Sequence, residues 1–151
     1  MERRVRDMIE LNEDIRIEYS ELLVGNDLVQ VDAFLECKIE GAWKEIGHAM
    51  VTIDEDQRGA RWGDIVIGSR NGKYVILDPE RGRPKNIDSY VALRGRGIGS
   101  RVAGAVLDRL KLRGISRVYG EIATTDDKTK ASRFWESLGF NMQNEEIEKF
   151  L

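Results

Sequence analysis

The sequence predicts a mixed α/β (α+β) domain in which helices pack on a largely antiparallel sheet. Its 151 residues make one domain of ordinary size, so we expect a single domain over residues 1–151. Apolar and polar residues alternate through much of the first half, as in strands that are buried on one face. After residue 87, strand-like and helix-like segments alternate, which adds strand–helix units to the same sheet.

Composition excludes several classes of protein. Apolar residues make up 41% and charged residues 34%, and no apolar run approaches the about 20 residues of a membrane span. Since the first residues lack the apolar stretch of a secretory signal, we expect a cytoplasmic protein. The chain has one cysteine, Cys37, and one histidine, His48. Cys-rich and His-paired zinc motifs are therefore excluded, and we expect chemistry without a metal.

In the first half, one segment has helical spacing and the others alternate. Val5, Met8, Ile9 and Leu11 lie among charged residues and predict an amphipathic helix over residues 2–11. Residues 14–20 favour a short strand, with an extension of that helix as the alternative. Further strands are predicted at residues 28–39, 45–53, 62–67, 74–77 and 87–93, with a basic loop at residues 78–86.

The clearest strand is residues 28–39. One face carries apolar side chains, namely Val29, Val31, Ala33, Leu35, Cys37 and Ile39. Cys37 is therefore predicted to be a core residue and not a nucleophile. His48 lies in the middle of the following strand, where we expect a structural or substrate-contact role rather than catalysis.

The second half predicts two helices and a strand between them. Ile98, Val102, Ala105, Val106 and Leu110 form a helical core face, and Gly114 is expected to end that helix. A strand follows at residues 118–122. A second helix spans residues 131–138, with Asp126 or Asp127 as its N-cap and Gly139 at its end. The tail, residues 141–151, has no clear pattern.

Charge is distributed unevenly along the chain. The net charge is −3 overall, with −8 over residues 1–80, +8 over residues 81–117 and −3 over the remainder. The overall value argues against a general nucleic-acid binder. The basic middle segment predicts either an anion site or ion pairs across the fold, and charge alone does not decide between them.

Three glycines and three arginines lie between the strand at residues 87–93 and the helix that follows. They fall within residues 94–101, Arg-Gly-Arg-Gly-Ile-Gly-Ser-Arg. Glycines allow a ligand to approach the backbone, and amides at a helix N-terminus bind phosphate. The spacing fits neither a Walker loop, which needs a lysine, nor a dinucleotide fingerprint. A flexible strand–helix connection is the remaining alternative.

These residues carry a family resemblance. Arg94-x-x-Gly97-x-Gly99 resembles the acetyl-CoA signature of the GNAT superfamily of N-acetyltransferases. About thirty residues later, Ala131-x-x-Phe134-Trp135-x-x-Leu138-Gly139-Phe140 is similar to its second hallmark. The resemblance implies a twisted mixed sheet with helices on both faces, the GNAT-like acyl-CoA N-acyltransferase fold. It further implies that two central strands part and that acetyl-CoA, the co-substrate, lies in the gap.

The resemblance also implies a set of cofactor-binding residues. Amides from Arg96 to Ser100 would hold the pyrophosphate, and three arginines would pair with the phosphates. Backbone groups near Val91 would contact the pantetheine and polarise the thioester carbonyl. The full set implied is Val91, Arg94, Gly95, Arg96, Gly97, Ile98, Gly99, Ser100 and Arg101.

The implied chemistry is direct attack of a primary amine on the thioester, after a carboxylate has removed a proton from the ammonium. Glu121 and Asp88 are the two candidates for this base, and an ordinary solvated carboxylate is the alternative for each. Trp135 stands where the family often has a tyrosine that protonates the thiolate, and an indole cannot serve as an acid. The helical spacing of Trp135 favours a core position for this residue. Lys128 stands where many members carry an asparagine. With Lys130 and Arg133 it is expected on a solvated helix face, and contact with the 3′-phosphate of the cofactor is the alternative.

The net negative charge of the first half suits a cationic amine as the acceptor, and this amine could belong to a small molecule or to a peptide. The leading hypothesis is an acetyl-CoA-dependent N-acetyltransferase with no nucleic-acid or membrane partner. The alternatives are a CoA-binding regulatory or interaction domain without turnover and, less in keeping with the total charge, a nucleic-acid-binding module. Homodimers occur in this superfamily, and long strands such as residues 28–39 could pair across one.

Overall fold

The structure is a computed structural model that describes residues 1–11, 13, 15–39, 41–67, 74–77, 84–87, 98–122 and 128–151. Its elements, in chain order, are the strands β1 (Glu2–Glu10), β2 (Ile15–Val24), β3 (Asp27–Ile39), β4 (Ala42–Ile53), β5 (Gly59–Ile67), β6 (Tyr74–Leu77) and β7 (Pro84–Ile87), the helix α1 (Ile98–Leu112), the strand β8 (Arg117–Glu121), the helix α2 (Lys128–Ser137), and the strands β9 (Asn141–Gln143) and β10 (Glu146–Phe150). Eight strands form one sheet in the order β1-β2-β3-β4-β5-β8-β10-β9, and β6 pairs with β7 separately.

The sheet is mixed, as the sequence predicted. Antiparallel pairing joins β1 through β5 in succession, and β5 then pairs with β8 in parallel. A parallel pair needs a crossover, and α1 lies within the segment that supplies it. Among the described helices, none is both long and apolar enough to cross a bilayer.

Helix α1 lies on one face of the sheet, which we call the helix face; the other is the second face. The core residues of α1 include Val102, Val106 and Leu110, which pack with those of β2, β3 and β4. The buried apolar side chains of β3 are Leu28, Val31, Ala33, Leu35 and Cys37. Cys37 is fully buried, so its predicted place in the core is confirmed.

Two glycines end the helices where the sequence predicted. Gly114 has φ of +84° and Gly139 has φ of +88°, values that glycine adopts readily because it lacks a Cβ. After α1, the amide of Gly114 donates to the carbonyl of Lys111, and that of Ile115 donates to the carbonyl of Leu110. The same pattern follows α2, so both chain reversals use the usual glycine cap.

The predicted helix over residues 2–11 is wrong, because this segment is the strand β1. All nine of its residues pair with β2, from Glu2 opposite Val24 to Glu10 opposite Arg16. The long β2 offers a backbone edge, and its hydrogen bonds outweigh the helical spacing of four apolar residues. The helical alternative for residues 14–20 is excluded with it, since β2 is a strand throughout.

Three further boundaries differ from the sequence prediction. A register shift of the β2–β3 pair leaves Val29 without a direct partner, so Leu28 takes the inward position expected for Val29. Pro84–Ile87 pair with β6 and form a strand where a loop was predicted. The tail forms β9 and β10, which complete the sheet beside β8. Residues 88–93 of the predicted strand and the predicted N-cap at 126–127 lie outside the described residues.

Ion pairs bind α1 to the sheet. Glu21 on β2 is buried and accepts hydrogen bonds from Arg113 Nε at 2.7 Å and Nη2 at 2.5 Å. It also accepts the Tyr19 hydroxyl at 3.1 Å. The hydrogen bond to Glu21 raises the pKa of Arg113. Burial, together with the negative charge of Glu21, raises the pKa of Tyr19. A second pair joins Arg109 to Asp7 at the exposed edge and lowers the pKa of Asp7.

We predict that Glu21→Ala lowers the free energy of unfolding by about 2 kcal/mol, because charged hydrogen bonds to a buried carboxylate are lost. Asp7→Ala, which removes the exposed partner of the other helix arginine, is the matched control and should produce no measurable change. Urea unfolding at pH 7 followed by circular dichroism measures both. Equal effects of the two substitutions would show that burial does not distinguish the pairs.

Candidate functional site

The parallel ladder between β5 and β8 ends abruptly. Only four residue pairs form, from Gly59 opposite Arg117 to Trp62 opposite Gly120. Strand β5 nevertheless continues to Ile67, which pairs with Gly47 of β4 on its other side. Within the described residues, residues 63–67 therefore have no strand partner on the β8 side. We call this opening the strand gap.

Gly120 lies at the point where the gap begins. A Cβ atom there would stand 3.0 Å from the Trp62 carbonyl oxygen and 3.4 Å from the Trp62 Cβ. Glycine therefore allows the last ladder pair to approach closely. Gly63, the next residue of β5, is at an irregularity in the β4–β5 register between Met50 and Val51. A bulge of this kind bends a strand and increases its twist, which helps β5 to diverge from β8.

The first turn of α1 lies at the same end of the sheet as the strand gap. Arg101 donates through Nη2 to the carbonyl of Leu11 at 3.3 Å. Leu11 directly follows β1, next to the start of β2, and that end of the sheet also carries the last residues of β5. The positive end of the helix dipole thus lies at the end of the sheet where the strand gap opens.

The predicted cofactor-binding residues fall into two groups. Ile98 is the first residue of α1, Gly99 is buried, Ser100 is half-buried and Arg101 is exposed. The first turn contains no acidic residue, so nothing in it opposes an anion. The rest of the predicted set lies outside the described residues, namely Val91, Arg94, Gly95, Arg96 and Gly97, as does the candidate base Asp88.

Glu121, the other candidate base, is the last residue of β8 and comes one position after the final ladder pair. It is exposed, and it stands opposite Glu146 of β10. Alternation places it on the second face with Tyr119, whereas Val118 and Gly120 are buried. Tyr119 itself donates its hydroxyl to Asp54 Oδ1 at 2.7 Å, and this bond raises the pKa of Tyr119.

The second face also carries a buried polar cluster that sequence reasoning did not identify. His48 Nε2 lies 2.9 Å from Asp32 Oδ1, and both side chains are less than one-tenth exposed. Asp32 Oδ2 accepts a hydrogen bond from Gln30 at 2.8 Å and lies 3.6 Å from Arg4 Nη1. The His48 ring stacks on Phe34, with centroids 4.8 Å apart. Pairing residues 28–39 with residues 45–53 as a hairpin would have brought Asp32 near His48, but their register was not predictable.

Trp135 occupies the core position expected from its helical spacing. It is 7% exposed and makes edge-to-face contacts with Trp62, Phe134 and Phe140, at centroid distances of 5.3, 5.0 and 5.0 Å. These contacts join α2 to β5 and to the turn before β9. The indole therefore serves packing between elements.

Comparison with known proteins agrees with this geometry. Residues 88–140 match the model of the acetyltransferase (GNAT) family. No curated protein matches the chain by sequence. The fold is similar to that of a Desulfovibrio desulfuricans protein described as an acetyltransferase of the GNAT family, with 14% identity, coverage of 82% of this chain and 68% of that chain, and a TM-score of 0.53.

Two further solved structures are similar at the level of the fold. One is a mutant spermidine N-acetyltransferase from Vibrio cholerae, with 15% identity, coverage of 81% and 64%, and a TM-score of 0.53. The other is an aminoglycoside 6'-N-acetyltransferase in complex with coenzyme A, with 12% identity, coverage of 80% and 72%, and a TM-score of 0.51.

The parted sheet, with the start of α1 at the same end as the strand gap, has the GNAT acyl-CoA N-acyltransferase fold, as the similar solved structures show. The match of residues 88–140 to the GNAT acetyltransferase family model confirms the resemblance noted in the sequence.

Proposed function

We propose that this protein is an N-acetyltransferase that moves the acetyl group of acetyl-CoA to a primary amine by direct attack. The observation that carries the proposal is the strand gap at the same end of the sheet as the first turn of α1. The gap offers a path for an extended thioester chain, and the helix N-terminus favours a diphosphate at its entrance. The matched family segment, residues 88–140, contains both α1 and β8.

The described residues fit such a ligand. Gly99 has no side chain to obstruct the approach of phosphate to the first-turn amides, and Arg101 adds a cation at the same turn. We assign the diphosphate to the backbone amides of residues 96–100, with Arg94 and Arg96 as further partners. A backbone amide near Val91 would polarise the thioester carbonyl.

The acceptor amine must lose a proton before it can attack. We assign this step to a carboxylate at the strand gap, with Glu121 and Asp88 as the candidates. The position of Glu121 directly after the last ladder pair, where the strands part, supports it as the candidate. Because it is exposed, it can exchange its proton with water after each turnover.

We propose a cationic amine as the acceptor. Residues 1–80 carry a net charge of −8, and they supply β1 to β5, which flank one side of the gap. An excess of negative charge attracts a cationic substrate by long-range steering. Two proteins of similar fold are named as acetyltransferases of spermidine and of aminoglycosides, which are polycationic amines.

The test of this function is a thiol-release assay with acetyl-CoA and a panel of amines. We expect turnover with polyamines, lysine side chains or aminoglycosides, and weaker turnover with neutral or acidic amines. Preference for uncharged acceptors would remove the charge argument. Binding of acetyl-CoA without turnover on any amine would favour a CoA-binding regulatory domain, the alternative suggested by Trp135 in place of an acid.

We predict that Gly99→Asp weakens acetyl-CoA binding by about 100-fold, or about 2.8 kcal/mol, because a carboxylate in the first turn repels the diphosphate. The fold should persist, since an acidic residue is favourable at a helix N-terminus. Gly104→Asp is the matched control: it makes the same change later in α1, where a Cβ meets no atom within 4 Å. Calorimetric titration measures both, and equal affinities would contradict the assigned site.

We predict that Glu121→Gln lowers kcat for the best amine by about 100-fold, because the amide cannot accept the ammonium proton. The affinity for acetyl-CoA should not change. Glu146→Gln is the control, since it removes the same charge from the residue opposite on β10. If both variants retain full turnover, Glu121 is not the base and Asp88 remains as the candidate.

A further inference from the structure

The two edges of the eight-stranded sheet differ in length. One edge is β9, which has three residues, and the other is β1, which has nine. Proteins prevent an edge from pairing with another chain by keeping it short, or by placing prolines, lysines or bulges in it. β1 contains no proline and no lysine, and its register against β2 is unbroken. Of the two edges, β1 is therefore the one that is long and regular enough to accept a further strand.

Two hydrogen bonds show which backbone groups of β1 point away from β2. The amide of Gly25 donates to the carbonyl of Met1 at 3.2 Å, and that of Leu11 donates to the carbonyl of Ile15 at 3.0 Å. Hydrogen-bonded and non-hydrogen-bonded pairs alternate in an antiparallel ladder, so the odd-numbered residues of β1 bond to β2. The even-numbered residues direct their backbone groups outward, namely Glu2, Arg4, Arg6, Met8 and Glu10.

Apolar side chains are exposed on both faces of this edge. Val5 lies opposite Glu21 on the helix face and is 39% exposed, and Met8 lies on the second face and is 42% exposed. No strand lies beyond β1 among the residues that the structure describes. A strand placed beside β1 would cover these side chains and would also bond the outward backbone groups.

We propose that this edge binds β1 of a second copy of the chain in antiparallel orientation, so that two sheets join across a two-fold axis. This interface is independent of the acetyl transfer proposed above. Because directly opposite side chains share a face, one residue must stand opposite its own copy at the axis. Three such registers pair seven or more residues of β1, with Val5, Arg6 or Asp7 at the axis. The charges along β1 distinguish them.

With Asp7 at the axis, opposite charges and apolar side chains meet. On the second face, Arg4 stands opposite Glu10 of the partner subunit. On the helix face, Val5 stands opposite Ile9 of the partner subunit, and symmetry repeats both contacts. Because Ile9 packs against the hydrophobic core of its own copy, the contact with Val5 extends that core toward the axis.

The aspartates at the axis do not oppose this register. Their carboxylates face each other, but each is paired with Arg109 of its own copy, which keeps the pKa of Asp7 below its usual range. Two carboxylates and two guanidinium groups therefore balance at the axis. The amide of Met8 donates to Asp7 Oδ1 at 2.8 Å in the single chain. In the dimer this outward amide donates to the carbonyl of Arg6 of the partner subunit.

The register with Arg6 at the axis brings like charges together. The two copies of Arg6 face each other, and Glu2 of each chain stands opposite Glu10 of the partner subunit. Like charges directly opposite each other destabilise a strand pair. This register pairs all nine residues, but repulsion occurs at its centre and at both ends.

The register with Val5 at the axis has no net electrostatic gain. Arg3 meets Asp7 of the partner subunit on the helix face, but Arg4 meets Arg6 of the partner subunit on the second face. Each contact occurs twice, so attraction and repulsion offset each other. The register with Asp7 at the axis is therefore the one that charge favours.

Pairing of this kind closes at two copies, because each chain contributes the same edge. The edges that then remain on the joined sheet are the two short β9 strands. The sequence suggested residues 28–39 as a strand that could pair across a dimer. That expectation is wrong, because this strand is β3, which pairs with β2 on one side and with β4 on the other.

Single-cysteine variants test the register. In the proposed dimer, the two copies of residue 7 form a non-hydrogen-bonded pair with Cα atoms about 4.5 Å apart, which is within the range of a disulfide. Asp7→Cys should therefore cross-link under mild oxidation. Val5→Cys, Arg6→Cys and Met8→Cys mark the neighbouring axes and should remain largely uncross-linked. The native Cys37 is buried and should not react. Non-reducing electrophoresis measures the cross-linked fraction.

Arg6→Pro tests the interface itself. The proline removes an amide that points away from β2, so the fold should persist, while its ring obstructs a second strand. We expect the dissociation constant of the dimer to rise about 100-fold, since one hydrogen bond is lost from each copy and the ring adds a clash. Arg6→Ala keeps the amide and is the matched control, which should remain dimeric. Analytical ultracentrifugation measures the association, and circular dichroism checks the fold.

The remaining outcomes each decide the proposal. It is overturned if the wild-type protein sediments as a monomer throughout the micromolar range, or if it forms a dimer that Arg6→Pro leaves unchanged. Preferential cross-linking through residue 5, 6 or 8 would overturn the register and the charge argument with it. If Arg6→Pro does not fold, the cysteine variants decide: preferential cross-linking of Asp7→Cys supports the interface, and equal or absent cross-linking of all four excludes it.

Discussion

The close approach of β5 and β8 over four residue pairs is the constraint on which the rest of the structure depends. Trp62 and Gly120 make the last pair, and Gly120 leaves only enough space for the Trp62 backbone. Parallel pairing forces the intervening chain to cross one face of the sheet, which is where α1 packs. Because the ladder stops after Trp62, β5 and β8 pair with each other at one end and do not pair with each other at the other end. The opening therefore follows from how far the ladder extends.

Electrostatic contacts explain part of the uneven charge along the sequence. Arg109 and Arg113 of the basic middle segment pair with Asp7 and Glu21 of the acidic first half, across the interface between α1 and the sheet. Arg117 pairs with Glu148 of the tail. Ion pairing across the fold, one of the two readings of the charge pattern, is thus present for these three. Arg101 contacts a backbone carbonyl instead, so its charge remains available for an anion at the helix start.

The sequence predicted most of the fold, and its failures have local physical causes. Periodicity located β3, α1 and α2, because each buries one face against the core. It failed for β1, an edge strand whose side chains are almost all exposed, since no buried face imposes a period of two there. The bulge at Val29 was not predictable, because an inserted residue leaves no compositional trace. The glycine motif could be found because adjacent residues carry it. The Asp32–His48 contact could not, because it depends on the register between two strands.

The position of Trp135 links the packing of the fold to the demands of its chemistry. The side chain at this site joins α2 to β5 through Trp62 and to the chain after α2 through Phe140. A residue committed to three ring contacts in the core cannot also approach a departing sulfur with an acidic proton. The proton that the proposed reaction returns to sulfur must therefore come from a group other than Trp135.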